Sequence, residues 1–151
     1  MRTRSILFFA LILASVTAVS AQRNVTLAVE RDPLMEADAK HNLDVAWQAF
    51  GPARQAYKQV LLRFEETFAA YPEFSKIDEF LYLAGMSSYY LSQNKGKQKV
   101  NLAIPAEKKK YAPEKLREDA IAYLSMLVDK YSDSKYAEEA KVTLGRIRDD
   151  K

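Results

Sequence analysis

"DKYSDSKYAEEAKVTLG", Asp129 to Gly145, and "AAYPEFSKIDEFLYLAG", Ala69 to Gly85, are two versions of one pattern set about sixty residues apart. In each, a tyrosine (Tyr131, Tyr71) closes an apolar helical pattern, and a short polar turn follows. A serine (Ser134, Ser75) then precedes a second helical pattern that runs to a glycine (Gly145, Gly85). Pro72 pushes Tyr71 out of helical geometry, and each serine is placed to cap the helix after it. Both units therefore read as helical hairpins. The small residues Ala84 and Gly85 in one, and Ala140 and Gly145 in the other, mark points where neighbouring helices approach. A single hairpin cannot bury its apolar face alone, so the pair implies stacked hairpins, the logic of helical-repeat proteins.

Outward from these bends the periodicity gives the remaining helices. After Ser134, Tyr136, Ala140, Leu144 and Ile147 fall on one face, with Arg146 and Arg148 near the negative end. The preceding helix opens at Pro113 with Glu114 and Glu118 near its positive end, and its stripe is Leu116, Ala120, Tyr123 or Leu124, Leu127 and Tyr131. After Ser75, Ile77, Leu81, Ala84, Ser88 and Leu91 share a stripe that Phe80, Tyr82, Tyr89 and Tyr90 widen, so this helix is expected to be enclosed on more than one side. Further upstream, Asp32-Pro33 is a helix start. The pattern continues to about Ala70, with Trp47, Phe50, Tyr57, Leu61, Phe64 and Phe68 along one face. Gly51-Pro52 interrupts it, and a kink or a break into two helices is expected there. Between the two units lies "SQNKGKQKVNLAIPAEKKKYAP", residues 92–113, with six lysines against one glutamate. Its length exceeds the usual helix–helix connection. A compact repeat of this class needs about 34 residues, and this connection is the surplus.

The chain begins with Arg2 and Arg4, an apolar run from Ile6 to Ala14, and small residues up to Ala21. This is the pattern of a secretory signal peptide, with an apolar run too short to span a bilayer. The expected organisation is a signal peptide over 1–21, an extended or mobile segment over 22–31, and an all-α helical-repeat domain over 32–151. With 48% hydrophobic and 28% charged residues and only four glycines, the composition suits a helix-rich globular protein and argues against disorder. Removing Arg2 and Arg4 leaves 21 Lys and Arg against 20 Asp and Glu, a charge near +1 without the basic footprint of a nucleic-acid binder. There is no cysteine, so disulfides are excluded. The cleavage point carries Gln22 where a lipoprotein needs cysteine, so the protein is expected to be exported but not lipid-anchored.

Little in the sequence points to chemistry. His41 is the single histidine and, without a second histidine or a cysteine, reads as a surface residue rather than a zinc ligand. The adjacent acids Glu65-Glu66, Asp78-Glu79, Glu138-Glu139 and Asp149-Asp150 splay about 100° apart on a helix and read as solvated faces. No glycine-rich phosphate loop or nucleophile elbow is present. No enzyme activity, cofactor or metal is therefore expected. Lys95, Lys97, Lys99 and Lys108 to Lys110 form the one charge asymmetry. A loop kept soluble by its charge is the simpler reading, and anionic lipid headgroups or an acidic partner segment are the alternatives. The aromatics are core by default. Tyr82, Met86, Tyr89 and Tyr90 nevertheless spread around one helix, which leaves some of them for a groove that takes a partner's peptide or helix.

"YPEFSKIDEFLYLAGMSSYYL" and "LREDAIAYLSMLVDKYSDSKYAEEAKVTL" resemble the tetratricopeptide-type repeats of the outer-membrane β-barrel assembly lipoprotein family, the BamD-like proteins. There, a first helix ends in Tyr-Pro, a serine caps the second, and the second carries a Y-A-x-x-A motif, matched here by Tyr136, Ala137 and Ala140. The similarity runs from about Tyr57 to Arg148. The resemblance implies a stack of helical hairpins and a non-enzymatic scaffold in the bacterial envelope that binds other proteins, linked to outer-membrane β-barrel assembly. A periplasmic coordinator of cell-wall or division machinery is the alternative within the same scaffold class, and a small-ligand carrier is the alternative outside it. Because the family's lipid-bearing cysteine is missing, the implied place is the periplasm or the periplasmic face of the outer membrane, reached through partners.

Overall fold

The computed structural model describes residues 31–149, in which six helices follow one another without a strand. They are α1 (Pro33–Phe50), α2 (Tyr57–Ala70), α3 (Ile77–Ser92), α4 (Pro105–Tyr111), α5 (Pro113–Lys130) and α6 (Ala137–Asp149). The signal peptide expected over 1–21 and nearly all of the segment expected over 22–31 lie outside the described residues.

α1 starts as its sequence dictates. The Asp32 carboxylate accepts from the Leu34 amide at 2.8 Å and the Met35 amide at 3.4 Å, and Pro33 occupies the first helical position. At Gly51-Pro52 the chain takes the stronger of the two expected outcomes: the helical pattern breaks into α1 and α2, joined by a turn. The two helices run antiparallel. The Ala56 amide donates to the Ala49 carbonyl (2.8 Å) at one end, and Asn42 Nδ2 donates to Thr67 Oγ1 (3.2 Å) along their length. Near the start of α1 the Glu36 carboxylate accepts the Ser75 amide, so α1 also grips the bend between α2 and α3.

α3 is the centre of the molecule. Twelve of its sixteen residues are buried, and it packs against α1, α2 and α5. Its contact with α5 is close because Gly85 leaves room for Leu124, whose Cγ lies 2.5 Å from where a Cβ on residue 85 would stand. α5 then pairs with α6, which buries Ala137, Ala140, Thr143, Leu144 and Ile147. The core is continuous across these helices, with Phe64, Phe74, Phe80, Leu43, Leu83, Leu116, Leu124, Leu127 and Ile147 almost wholly enclosed. The architecture is an all-helical stack of hairpins of the tetratricopeptide-like kind, in which α2–α3 and α5–α6 are the two units written twice in the sequence.

Two expectations about caps and one about packing need correction. Ser75 does not cap α3: the helix begins at Ile77 behind Lys76 with no side-chain cap. The bend runs one residue further, with Phe74 turned into the core and the Ser75 amide held by Glu36. Ser134 likewise lies three residues before α6. Its Oγ accepts the Tyr136 amide at 3.3 Å inside the bend and donates to Asp78 Oδ2 at 2.6 Å, so it ties the second bend to the first turn of α3. Gly145 is not a close-packing point, since nothing lies within 4 Å of a Cβ built there. It sits 100° around the helix from the buried Leu144 and faces solvent.

The connection over 92–113 is more structured than its composition suggests. α3 ends in a Schellman motif: Asn94 takes φ 54°, its amide donates to the Leu91 carbonyl, and the Lys95 amide donates to the Tyr90 carbonyl. Gly96 follows at φ 90° and lies so close to the Tyr57 ring and the Gln55 carbonyl that a Cβ would meet both within 2.8 Å. α4 then forms within the lysine run. Pro105 opens it, Glu107 sits in its first turn and Lys108, Lys109 and Lys110 sit in its last, which suits the helix dipole.

Candidate functional site

A continuous run of aromatic rings links α1, α2, α3 and the bend before α6. Tyr82 on α3 stacks on Tyr136, just before α6, at 4.5 Å and 17°. Trp47 on α1 lies against both, 6.3 Å from Tyr82 and 5.8 Å from Tyr136. Phe50 carries the run to Tyr90 (6.1 Å, stacked) and to Tyr57 (5.6 Å). Such ring pairs each contribute about 0.5–1.5 kcal/mol beyond the area they bury, so this row fixes how the two hairpins and α1 sit together. Trp47, Phe50, Tyr90 and Tyr136 keep part of their surface in solvent, whereas Tyr57 and Tyr82 are buried.

Polar groups border the row. Glu79 Oε2 accepts the Trp47 Nε1–H at 3.1 Å and the Tyr136 hydroxyl at 3.3 Å, and the Lys76 ammonium lies 3.6 Å from its Oε1. The Lys135 ammonium stands 4.8 Å over the Tyr136 ring. Burial raises the Tyr82 phenol well above its usual value, with a hydrogen bond to the Glu139 carboxylate adding to it. Burial is also the leading cause of the upward shifts of Tyr57, Tyr90 and Tyr136. Between α5 and α2, Tyr123 packs edge-on to Phe64 at 4.8 Å and is pushed up to about 12 by burial, then by Asp119 and Glu65. All of these phenols stay protonated at neutral pH, and those of Tyr82 and Tyr136 donate to the Glu139 and Glu79 carboxylates. This is a surface suited to recognition through rings and fixed dipoles.

The sequence-derived site residues divide three ways. Tyr82, Met86 and Tyr89 line no open groove: they are 4–8% exposed and belong to the core. α3 is covered on nearly every side, so aromatics spread around it meet neighbouring helices. Tyr90 is half-buried in the ring row, with Lys95 Nζ 5.8 Å over its ring. Lys97 and Lys99 hold the connection down: Lys97 Nζ donates to the Ala53 carbonyl (2.7 Å) and Lys99 Nζ to the Asn94 carbonyl (2.6 Å). Of the repeat-signature residues, Tyr71, Pro72 and Ser75 form the first bend and Tyr131, Ser134 and Tyr136 the second. Ala84, Gly85 and Ala140 are buried at helix contacts, and Gly145 is exposed. The two bends lie side by side around a cleft lined by Ser75, Asp78, Lys130, Tyr131 and Asp133.

Trp47, Phe50 and Tyr136 as edge members of one aromatic face, and Glu79 as its polar anchor, were not brought together from sequence, where Trp47 and Phe50 read as a helix stripe and Tyr136 as part of the repeat signature. The Trp47–Phe50 spacing of three residues puts both rings on one side of α1, but which helix they meet is set by the stack. His41 is exposed, as expected of a surface histidine. No group of His, Cys, Asp and Glu able to hold a metal ion occurs among the described residues, and no described helix is long and apolar enough to cross a membrane.

A family model described as outer membrane lipoprotein, YfiO, matches residues 12–150, and the chain belongs to that family. No curated protein and no solved structure matches the chain.

Proposed function

We propose that this member of the outer membrane lipoprotein family is an exported envelope scaffold that binds other proteins through its stacked hairpins and takes part in outer-membrane β-barrel protein assembly. The family match over residues 12–150 is the observation that carries it, and the BamD-like character of the two repeats points the same way. The protein acts by binding and performs no reaction. Its place is the periplasm or the periplasmic face of the outer membrane. The part-exposed row of Trp47, Phe50, Tyr90 and Tyr136 is the surface offered to a partner. Tyrosine and tryptophan are the side chains that most often anchor interfaces, and here they are already held in place by stacking and by Glu79.

Depletion of the protein in its own cells tests this function. The amount of folded β-barrel protein in the outer membrane, read by the altered electrophoretic mobility of unheated barrels, is expected to fall. Unchanged barrel levels together with a wall or division defect would contradict it.

A further inference from the structure

We propose that the segment from Leu102 to Lys109 docks the protein on an anionic membrane surface. Five consecutive apolar residues, Leu102, Ala103, Ile104, Pro105 and Ala106, are all exposed, with Leu102 at 44% and Ile104 at 45%. Soluble proteins do not keep such a run in water without a use for it.

The run is displayed by a fixed support. Lys58 on α2 reaches both the Lys99 carbonyl (2.7 Å) and the Glu107 carboxylate (2.8 Å), Glu107 also accepts the Asn101 amide (2.7 Å), and Lys110 pairs with Glu65 at 2.6 Å. Glu107, Lys110 and Tyr111 therefore form the inward face of α4 against α2, with Lys58 and Lys110 each 5.5 Å from the Tyr111 ring. Glu107 is the only acid between residues 92 and 113, and it is turned inward. What remains outward is apolar from 102 to 106 and cationic at Lys108 and Lys109, both exposed.

An anionic bilayer interface complements both halves of this face. The apolar side chains enter the headgroup–acyl boundary, and the two ammonium groups stay at the level of the phosphates. An acidic protein segment would match the lysines but not a five-residue apolar run. Of the six lysines indicated by sequence, the site keeps Lys108 and Lys109, whereas Lys97 and Lys99 are held by backbone carbonyls and Lys110 by Glu65. It stands apart from the assembly role, since membrane docking does not depend on which protein is bound.

The test is co-sedimentation of the chain from residue 22 onward, which contains the six described helices and the core they form, with vesicles of two compositions. Binding to phosphatidylethanolamine vesicles containing phosphatidylglycerol is expected, with little to vesicles of phosphatidylcholine alone. Lys108→Gln with Lys109→Gln should weaken it by about twenty-five-fold, about fivefold for each lysine. Leu102→Ser with Ile104→Ser should weaken it by at least about tenfold. Circular dichroism should be unchanged in both variants, because all four side chains are exposed. Failure to pellet with anionic vesicles, equal pelleting with both vesicle types, or binding unaffected by both pairs overturns the proposal. So does loss of a cross-linked protein partner in the variants while vesicle binding is absent, which would assign the face to a protein.

Discussion

Two glycines that look alike in the sequence do different things. A Cβ on Gly85 would stand 2.5 Å from Leu124 Cγ and 2.6 Å from its Cδ2, and Leu124 is itself fully buried. Gly85→Ala is therefore expected to destabilise the protein by about 1–3 kcal/mol, the usual range for overpacking a core. Gly145→Ala meets nothing within 4 Å and should be neutral or stabilising by up to about 1 kcal/mol, since alanine favours a helix interior. Urea unfolding of the two variants checks the pair, and equal effects would contradict the packing described. The difference was legible in part. Gly145 lies off the stripe of Ala140, Leu144 and Ile147, so spacing alone marks it as outward. Gly85 sits in a helix apolar nearly all round, and no period shows which neighbour comes close.

At the scale of the element, α1, α2, α3, α5 and α6 were written in the apolar spacing, and the connection between the two units was not. Hydrophobic periodicity reports burial against a core, whereas the connection is held by polar contacts such as Lys58 to the Lys99 carbonyl and Lys97 to Ala53, which follow no period. Two expected outcomes belong to this element. Gly96→Ala forces a side chain into positive φ and against Tyr57 and the Gln55 carbonyl, at a cost of about 1–3 kcal/mol, measured by the same unfolding experiment. Glu107 makes the connection sensitive to acid. The hydrogen bond from Lys58, and then the Asn101 amide, hold its carboxyl below the ordinary 4.5. A lowered folded value means that this contribution is complete above 4.5 and is lost as the pH falls through the lowered value. Hydrogen-exchange protection of the Asn101 amide, corrected for intrinsic rates, should hold from neutrality down to about that point and then drop. A loss of protection beginning well above it would show that another group controls the connection.

At the scale of the whole molecule, the written repetition becomes a physical contact. The two bends that share the tyrosine–turn–serine pattern lie beside each other, joined by Ser134 Oγ to Asp78, and the hairpins they form stack through α3 and α5. Recurrence in the sequence was enough to indicate stacking, because an isolated hairpin leaves its apolar face uncovered. It did not show where rings from distant segments gather on one flank. That depends on Trp47, Phe50 and Tyr136 arriving from α1 and the second bend at the same flank of α3, a coincidence of three distant segments. The central claim is that this flank serves envelope proteins engaged in β-barrel assembly. Cross-linking in intact cells followed by mass spectrometry of the proteins joined to the chain tests it most directly. Recovery of outer-membrane β-barrel assembly components, attached near residues 47–50 or 135–139, is the expected result. Recovery of septal or cell-wall proteins in their place, or of a bound small molecule with no protein, would contradict it.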